Sequence, residues 1–220
     1  MLFKHRFFVF TALCVVCMHH RSYSVFESHF LSGLQVGAGT VPFTFKMRSL
    51  GSLRDPAALI INKDYFLAGS YSRKFGLEEL PEYAFIFGSP SGNIGWGIGG
   101  TFFGNNLYKE SQLCFLASST FSKKIHVGLG LNYYSLDISN YGHAGTFGMN
   151  ISCRYYLTEP LESAILLQNV NSPVIGQVKE KLPRVISMGI ISHAINNITA
   201  QVAYQQDTDF NGQVKTGVVW

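Results

Sequence analysis

Residues 125–136 read Ile125-His126-Val127-Gly128-Leu129-Gly130-Leu131-Asn132-Tyr133-Tyr134-Ser135-Leu136. Side chains of a β-strand alternate with period two, so Ile125, Val127, Leu129, Leu131 and Tyr133 share one face. His126, Gly128, Gly130, Asn132 and Tyr134 share the other. One strand thus carries an apolar face and a face of small or polar groups. About ten residues of such alternation is what a tilted strand needs to cross a bilayer.

The pattern recurs. In 146–157, Phe147, Met149, Ile151, Cys153, Tyr155 and Leu157 oppose Thr146, Gly148, Asn150, Ser152, Arg154 and Tyr156. In 198–205, Ile198, Ala200, Val202 and Tyr204 oppose Thr199, Gln201, Ala203 and Gln205. In 213–220, Val214, Val218 and Trp220 oppose Gln213, Lys215 and Gly217. The stretch 184–192 alternates less cleanly, because Val185 and Ile191 fall on the polar side. About ten strands are expected: 65–75, 82–89, 93–104, 110–122, 125–139, 144–157, 162–170, 183–193, 197–207 and 212–220. Turn chemistry separates them, at Ser89-Pro90-Ser91-Gly92-Asn93, Gly104-Asn105-Asn106, Asn140-Tyr141-Gly142, Asn196-Asn197 and Asn211-Gly212. Several separators are hairpin-short, which predicts an antiparallel meander.

The N-terminus is a different kind of segment. Lys4, His5 and Arg6 precede an apolar run from Phe7 to Met18, and Ser22-Tyr23-Ser24 offers a small-x-small cleavage site. That is the anatomy of a secretory signal, here assigned to residues 1–24. No later apolar run reaches 18 residues, so an integral protein must cross the membrane as a closed barrel. The formal charge is +4, with 17 basic and 13 acidic groups. Removing Lys4, Arg6 and Arg21 leaves 14 basic groups and a charge of +1. The basic balance belongs mostly to the signal and gives no support for nucleic-acid binding. The same cut leaves two cysteines, Cys114 and Cys153, both inside expected strands and read as isolated thiols.

Charged residues make up 14% of the chain, against roughly 25% in soluble domains. With 22 glycines, 18 phenylalanines and 11 tyrosines, this composition suits a sheet that is apolar outside and small or polar inside. The expected fold is all-β: an antiparallel up-and-down transmembrane β-barrel over residues 65–220, with a plug-like segment at 25–64. Tyr65, Phe66, Tyr133, Tyr134, Tyr155, Tyr156 and Tyr204 sit near strand ends, as an aromatic girdle would. Asn150, Arg154, Gln201, Gln205 and Lys215 are the lumen-facing candidates. An alternative is a soluble exported β-sandwich, with the same polar face in water. In 25–64, Gly33, Gly37 and Gly39 break regular elements, and Asp55-Pro56 favours a turn before a compact apolar run with room for a short helix. Residues 171–183 form the longest late loop, with charges that suit solvent.

Asp55-Pro56-Ala57-Ala58-Leu59 resembles the Asn-Pro-Ala-(Ala/Gly)-Leu motif near the N-terminus of bacterial outer-membrane barrels of the PorV/PorQ and FadL-like group. Leu129, Asn132 and Tyr133 look like that group's Gly-x-x-x-Lys-Tyr strand. Tyr155-Tyr156-Leu157-Thr158, then Leu166-Leu167-Gln168-Asn169-Val170, and Leu182-Pro183-Arg184 are similar to its later strands. Asp55 replaces the usual Asn. Members of the group continue for several more strands, so Trp220 is read either as a terminal aromatic assembly signal or as the end of an internal strand in a truncated chain. The resemblance implies localisation in the outer membrane. It also implies either passage of hydrophobic compounds past an N-terminal plug or a scaffold role in type IX-like secretion. The implied partners are outer-membrane lipid and the barrel-assembly machinery, with hydrophobic small molecules or secretion-system proteins beyond them.

No enzyme is expected. His126, His143 and His193 are scattered, and a nucleophile–base pair needs both groups on one face. His126 could still meet a serine across its hairpin. No metal-ligand spacing is present and no cofactor is expected. Gly95, Gly97, Gly99 and Gly100 read as a strand that permits close packing or a bend, with no helix signal following to make a phosphate loop. Arg154 and Lys215 are expected to find an acid such as Asp137 or Glu162, or to hold an anionic group inside the barrel.

Overall fold

The computed structural model describes residues 25–26, 39–43, 49–62, 64–195, 197–208 and 211–220. The signal-like stretch 1–24 and Gly33 and Gly37 lie outside the described residues. The strands are β1 Phe66–Arg73, β2 Pro81–Ser91, β3 Ile94–Gly104, β4 Tyr108–Ser122, β5 Ile125–Ile138, β6 Gly142–Thr158 and β7 Leu161–Gln168. A two-residue pair follows, β8 Val174–Ile175 and β9 Glu180–Lys181, and then β10 Val185–Ile195, β11 Ile198–Asp207 and β12 Gln213–Val219. Ten of them form one antiparallel sheet in chain order, β1 to β7 and then β10 to β12, while β8 and β9 pair separately. The expected meander is present, with strand ends shifted by a few residues. Among the described residues, β1 pairs with β2 and β12 with β11, and no pairing joins β1 to β12.

The connections divide by length. Two-residue turns at 92–93, 123–124 and 159–160, and the link from Ile195 to Ile198, lie at one end of the sheet. The opposite end carries 105–107, 139–141, 208–212, 74–80 and the long 169–184 stretch. The first residue of β1 and the last of β12 both lie at the short-turn end. Gly92 (φ 59°) and Asn197 (φ 64°) adopt the left-handed backbone that tight hairpins demand.

The two faces differ: one is apolar and exposed, and the other mixes buried polar and charged groups with buried apolar ones. Leu67, Phe85, Trp96, Phe115, Leu129, Phe147, Ile165, Met188, Val202 and Val214, one from each of the ten strands, are exposed. Asn132, Asn150, Ser152, Arg154, Glu162, Ser187 and Gln201 are buried. The alternation also corrects the aromatic girdle. Tyr65, Tyr133, Tyr155 and Tyr204 stand on the outer side, but Phe66 and Tyr134 are buried and Tyr156 faces inward with them. Adjacent residues of a strand cannot share a face.

The segment before β1 fills the buried side. It forms two 3-10 turns, Leu50–Leu53 and Pro56–Ile61, where room for a short helix was expected. Leu50, Leu53 and Leu59 pack with Phe66, Ala84, Ile86, Cys114 and Leu116 of β1, β2 and β4. Phe43 packs with Ala164, Leu166, Ile191 and Ala203 of β7, β10 and β11, and Val41 packs with Val219 of β12. Ten flat strands would span ~43 Å at ~4.8 Å per spacing. Residues 39–43 and 49–62 reach strands at both margins of the sheet, and Phe43, Asp55 and Ala57 are fully buried. The sheet must therefore curl around the segment, because a flat sheet would leave its far side in water.

Inner-face glycines make the room. A Cβ at Gly128 would overlap the backbone of Pro56 and Ala57, one at Gly99 would meet Leu53 at 2.6 Å, and one at Gly97 would meet Leu59 at 3.4 Å. Of the two readings of the glycine-rich β3, close packing or a bend, the approach of Leu53 and Leu59 shows close packing.

Candidate functional site

A cluster of buried charges on the inner face lies near the short turns. Arg154 stands near the end of β6 and Glu162 near the start of β7. The register sets Tyr156 opposite Glu162 and Arg154 opposite Ala164, so Arg154 and Glu162 are diagonal neighbours on one face. Arg154 Nε donates to Asp55 Oδ2 at 2.9 Å, its Nη2 donates to the same oxygen, and its Nη1 donates to Glu162 Oε1 at 2.9 Å. All three side chains are at most 2% exposed. Guanidinium geometry suits this forked contact with two carboxylates. Burial makes the arrangement unforgiving, since deleting one partner leaves a desolvated charge.

Asp55 reaches Arg154 because of where it sits. It immediately precedes Pro56, which opens the second 3-10 turn, and its side chain makes no capping bond there. The residue before a proline is pushed from helical to extended backbone. The carboxylate is therefore free to cross to β6. Beside it, Ala57 N–H donates to Ser152 Oγ at 2.8 Å. The Asp55–Leu59 motif is thus seated against β5 and β6 as well as shaping a turn. Arg54, next in the segment, is lowered to about 10 by desolvation, with Glu82 and Tyr134 pulling the other way. It remains a cation at neutral pH.

The other lumen-facing candidates share the buried face. Gln201 Nε2 donates to the Phe43 carbonyl at 3.4 Å, and Lys215 Nζ donates to the Thr40 carbonyl at 3.3 Å. Asn150 Oδ1 accepts from Asn169 N–H at 3.0 Å, and Asn169 Oδ1 accepts from the Tyr134 hydroxyl at 2.9 Å. Asn169 Nδ2 donates to the Pro183 carbonyl at 2.8 Å, which ties the 169–184 stretch down. Ile175 and Leu182 of that stretch are buried with Tyr134 and Leu136, so it is not wholly a solvent loop. Gln205 is half-buried on the same face. Of the two acids expected for Arg154, Glu162 is the partner; Asp137 is exposed toward the other end of β5.

The chain matches no protein-family model and no characterised protein. The geometry of the buried face is therefore what speaks to function.

Two histidines join this cluster. His193 Nε2 lies 3.3 Å from Glu162 Oε1, and its Nδ1 lies 3.0 Å from Thr199 Oγ1. His126 Nδ1 lies 3.1 Å from Thr120 Oγ1, so its partner across the hairpin is threonine rather than serine. Its ring stands edge-on to Tyr156. Each histidine is six residues from its threonine across a two-residue turn, a spacing visible in the sequence. The contact between His193 and Glu162 is not, because it depends on the register of two strands separated by the 169–184 stretch: Ile191 stands opposite Glu162, which makes His193 its diagonal neighbour. Glu162 is already engaged by Arg154, and Thr199 is buried. The cluster is built to fasten the N-terminal segment to the sheet. Cys114 and Cys153 are free thiols on opposite faces, as isolated thiols should be.

Proposed function

We propose that this chain is an outer-membrane β-barrel of the PorV/PorQ and FadL-like type, in which β1 and β12 close around the chain's own N-terminal segment. In this reading it is not an enzyme and acts as a filled scaffold barrel in secretion. The observation that carries the proposal is the apolar outer face of the sheet. All ten strands turn apolar side chains outward, while Arg, Glu, Asn and Gln are buried. In water so broad an apolar surface would be covered by another layer. Lipid accepts it, provided every backbone group is paired by closure. Short turns at one end and longer connections at the other match the periplasmic and outer ends of such barrels. A soluble sandwich would need a second layer over the exposed apolar face.

The filled interior favours a scaffold over an open pore. Residues 39–43 and 49–62 reach strands at both margins of the sheet, and residues 25–26 with stretch 169–184 cover the long-loop end. Transport of hydrophobic compounds is a second reading. It is favoured by the apolar half of the interior, where Leu50, Leu53 and Leu59 meet Ile86 and Leu116.

Membrane fractionation with gel heat-modifiability tests the barrel. The protein should sediment with outer membranes and migrate differently before and after boiling. A soluble protein with no shift overturns the proposal. Planar-bilayer conductance and uptake of a fluorescent fatty acid separate the two roles. A scaffold shows neither, whereas uptake identifies the transporter.

A further inference from the structure

The connection from β11 to β12 carries the sole Asn-Gly pair of the sequence, Asn211-Gly212. Both residues are exposed and lie just outside β12, which starts at Gln213. The Asn211 side chain makes no hydrogen bond to a described residue. Asparagine amides elsewhere are engaged. Asn62 Nδ2 donates to the Leu59 carbonyl at 3.0 Å, Asn105 Oδ1 accepts from Leu107 N–H at 2.9 Å, and Asn171 Nδ2 donates to the Phe147 carbonyl at 2.8 Å. The exposed Asn93, Asn106, Asn140 and Asn197 precede Ile94, Leu107, Tyr141 and Ile198, whose side chains crowd the backbone nitrogen that follows each asparagine. Only glycine leaves that nitrogen open. At 212 the fold imposes glycine. A Cβ there would overlap the Tyr204 hydroxyl and lie 2.6 Å from the ring Cε2. Tyr204 stands opposite Val214, and its hydroxyl donates to Gln206 Oε1 at 3.0 Å.

We propose that Asn211 is a site of spontaneous covalent modification, in which the Gly212 backbone nitrogen attacks the Asn211 side-chain carbonyl carbon. The N–Cγ bond forms and the Cγ–Nδ2 bond breaks. The proton of the attacking nitrogen leaves with Nδ2 as ammonia, and a five-membered succinimide remains. Water then opens the ring. Cleavage of the new N–Cγ bond gives aspartate; cleavage of the original peptide bond gives isoaspartate, in which the chain runs through the side-chain carbon. No electrons are exchanged with an outside partner. Either product carries a carboxylate where a neutral amide stood. Isoaspartate also inserts a methylene into the backbone just before the glycine that the Tyr204 ring lies against. The change therefore falls at the start of β12, and it stands whether the outer face meets lipid or another layer.

The test uses the full chain in its folded form, held for days at mildly alkaline pH and compared with a fresh sample digested alongside. Trypsin releases residues 185–215 as one peptide, because no Lys or Arg lies between Arg184 and Lys215. That peptide reports Asn211 beside Asn196 and Asn197. In the aged sample it should gain the mass of a hydroxyl less an amino group, and fragmentation should place the gain at Asn211. An isoaspartyl methyltransferase should label the aged protein and should lose most of that label on aged Asn211→Gln, an exposed change that leaves the fold intact. Gly212→Ala made together with Tyr204→Ala, which removes the ring the new Cβ would strike, should slow the conversion severalfold. An Asn211 unchanged after ageing overturns the inference. So does conversion at Asn196 or Asn197 as fast as at Asn211, or a methyl label that persists in Asn211→Gln. Conversion found only after boiling overturns it as well, because the folded connection would then be shielding the amide.

Discussion

Replacing Gly128 by alanine should loosen the N-terminal segment by an amount that the packing around Ala57 sets. The new Cβ would overlap the Ala57 nitrogen and lie 2.5 Å from the Pro56 carbonyl carbon and 2.8 Å from the Ala57 Cα. These are backbone atoms of a buried 3-10 turn, so no side-chain rotation relieves the overlap. Either the turn lifts or β5 bends. Lifting the turn breaks the 2.8 Å bond from Ala57 N–H to Ser152 Oγ, worth about 1 kcal/mol. Overpacking adds ~1–3 kcal/mol. The total expected loss is about 2–4 kcal/mol. Gly69→Ala is the matched control, because its Cβ would meet only the Ala84 carbonyl, at an ordinary 3.5 Å. That change should stay within ~0.5 kcal/mol. Both variants are unfolded with urea in detergent micelles, and the folded fraction is read by gel mobility without boiling. At a slope of ~2 kcal/mol/M, a 3 kcal/mol loss moves the midpoint by ~1.5 M. Equal midpoints for the two variants would refute the placement of the Pro56–Ile61 turn against β5.

Asp55→Ala should cost about 3–5 kcal/mol in the same assay, while the triple change Asp55→Leu, Arg154→Met, Glu162→Leu should recover most of that loss. No recovery in the triple variant would mean that the charges do more than neutralise one another. Leu131→Lys, on the exposed face of β5, should cost ~2–4 kcal/mol when the protein folds into lipid bilayers. Leu107→Lys, in an exposed connection, should cost almost nothing; equal effects would count against lipid on the outer face. In the folded protein Cys153 should react with a membrane-permeant maleimide while Cys114, 2% exposed, stays silent until unfolding. An oxidant should form no Cys114–Cys153 bridge, read by non-reducing mobility.

The strands were legible because their pattern is local. Ile125 to Leu136 states its two faces within a dozen residues, and turn residues such as Gly92 and Asn197 mark the hairpins. Periodicity could not say which face meets protein; burial of Asn132 and exposure of Leu129 decide that. The shared face of Asn150, Arg154, Gln201, Gln205 and Lys215 was readable from parity, and Glu162 was readable as a partner for Arg154 because the two are hairpin neighbours. Asp55 was not readable as its other partner, since 99 residues separate them and no local pattern encodes the contact. The β8–β9 pair was missed because two residues show no period. Phe66, Tyr134 and Tyr156 have the residue type of a girdle but not its face, because strand parity turns them inward.

The filled interior also dictates an order of assembly. Strand pairing joins only neighbours in the chain meander, so every hairpin can form from a short loop closure. The contacts of the enclosed segment are of the opposite kind: Phe43 with Gln201 spans 158 residues, and Thr40 with Lys215 spans 175. Such contacts repay their entropy late and slow the search. The segment nonetheless leaves the ribosome before any strand, and in the proposed barrel the pairing of β1 with β12 would shut the wall around it last. It must wait in place while the meander winds about it, so the first stretch made acts as the mandrel for everything made after.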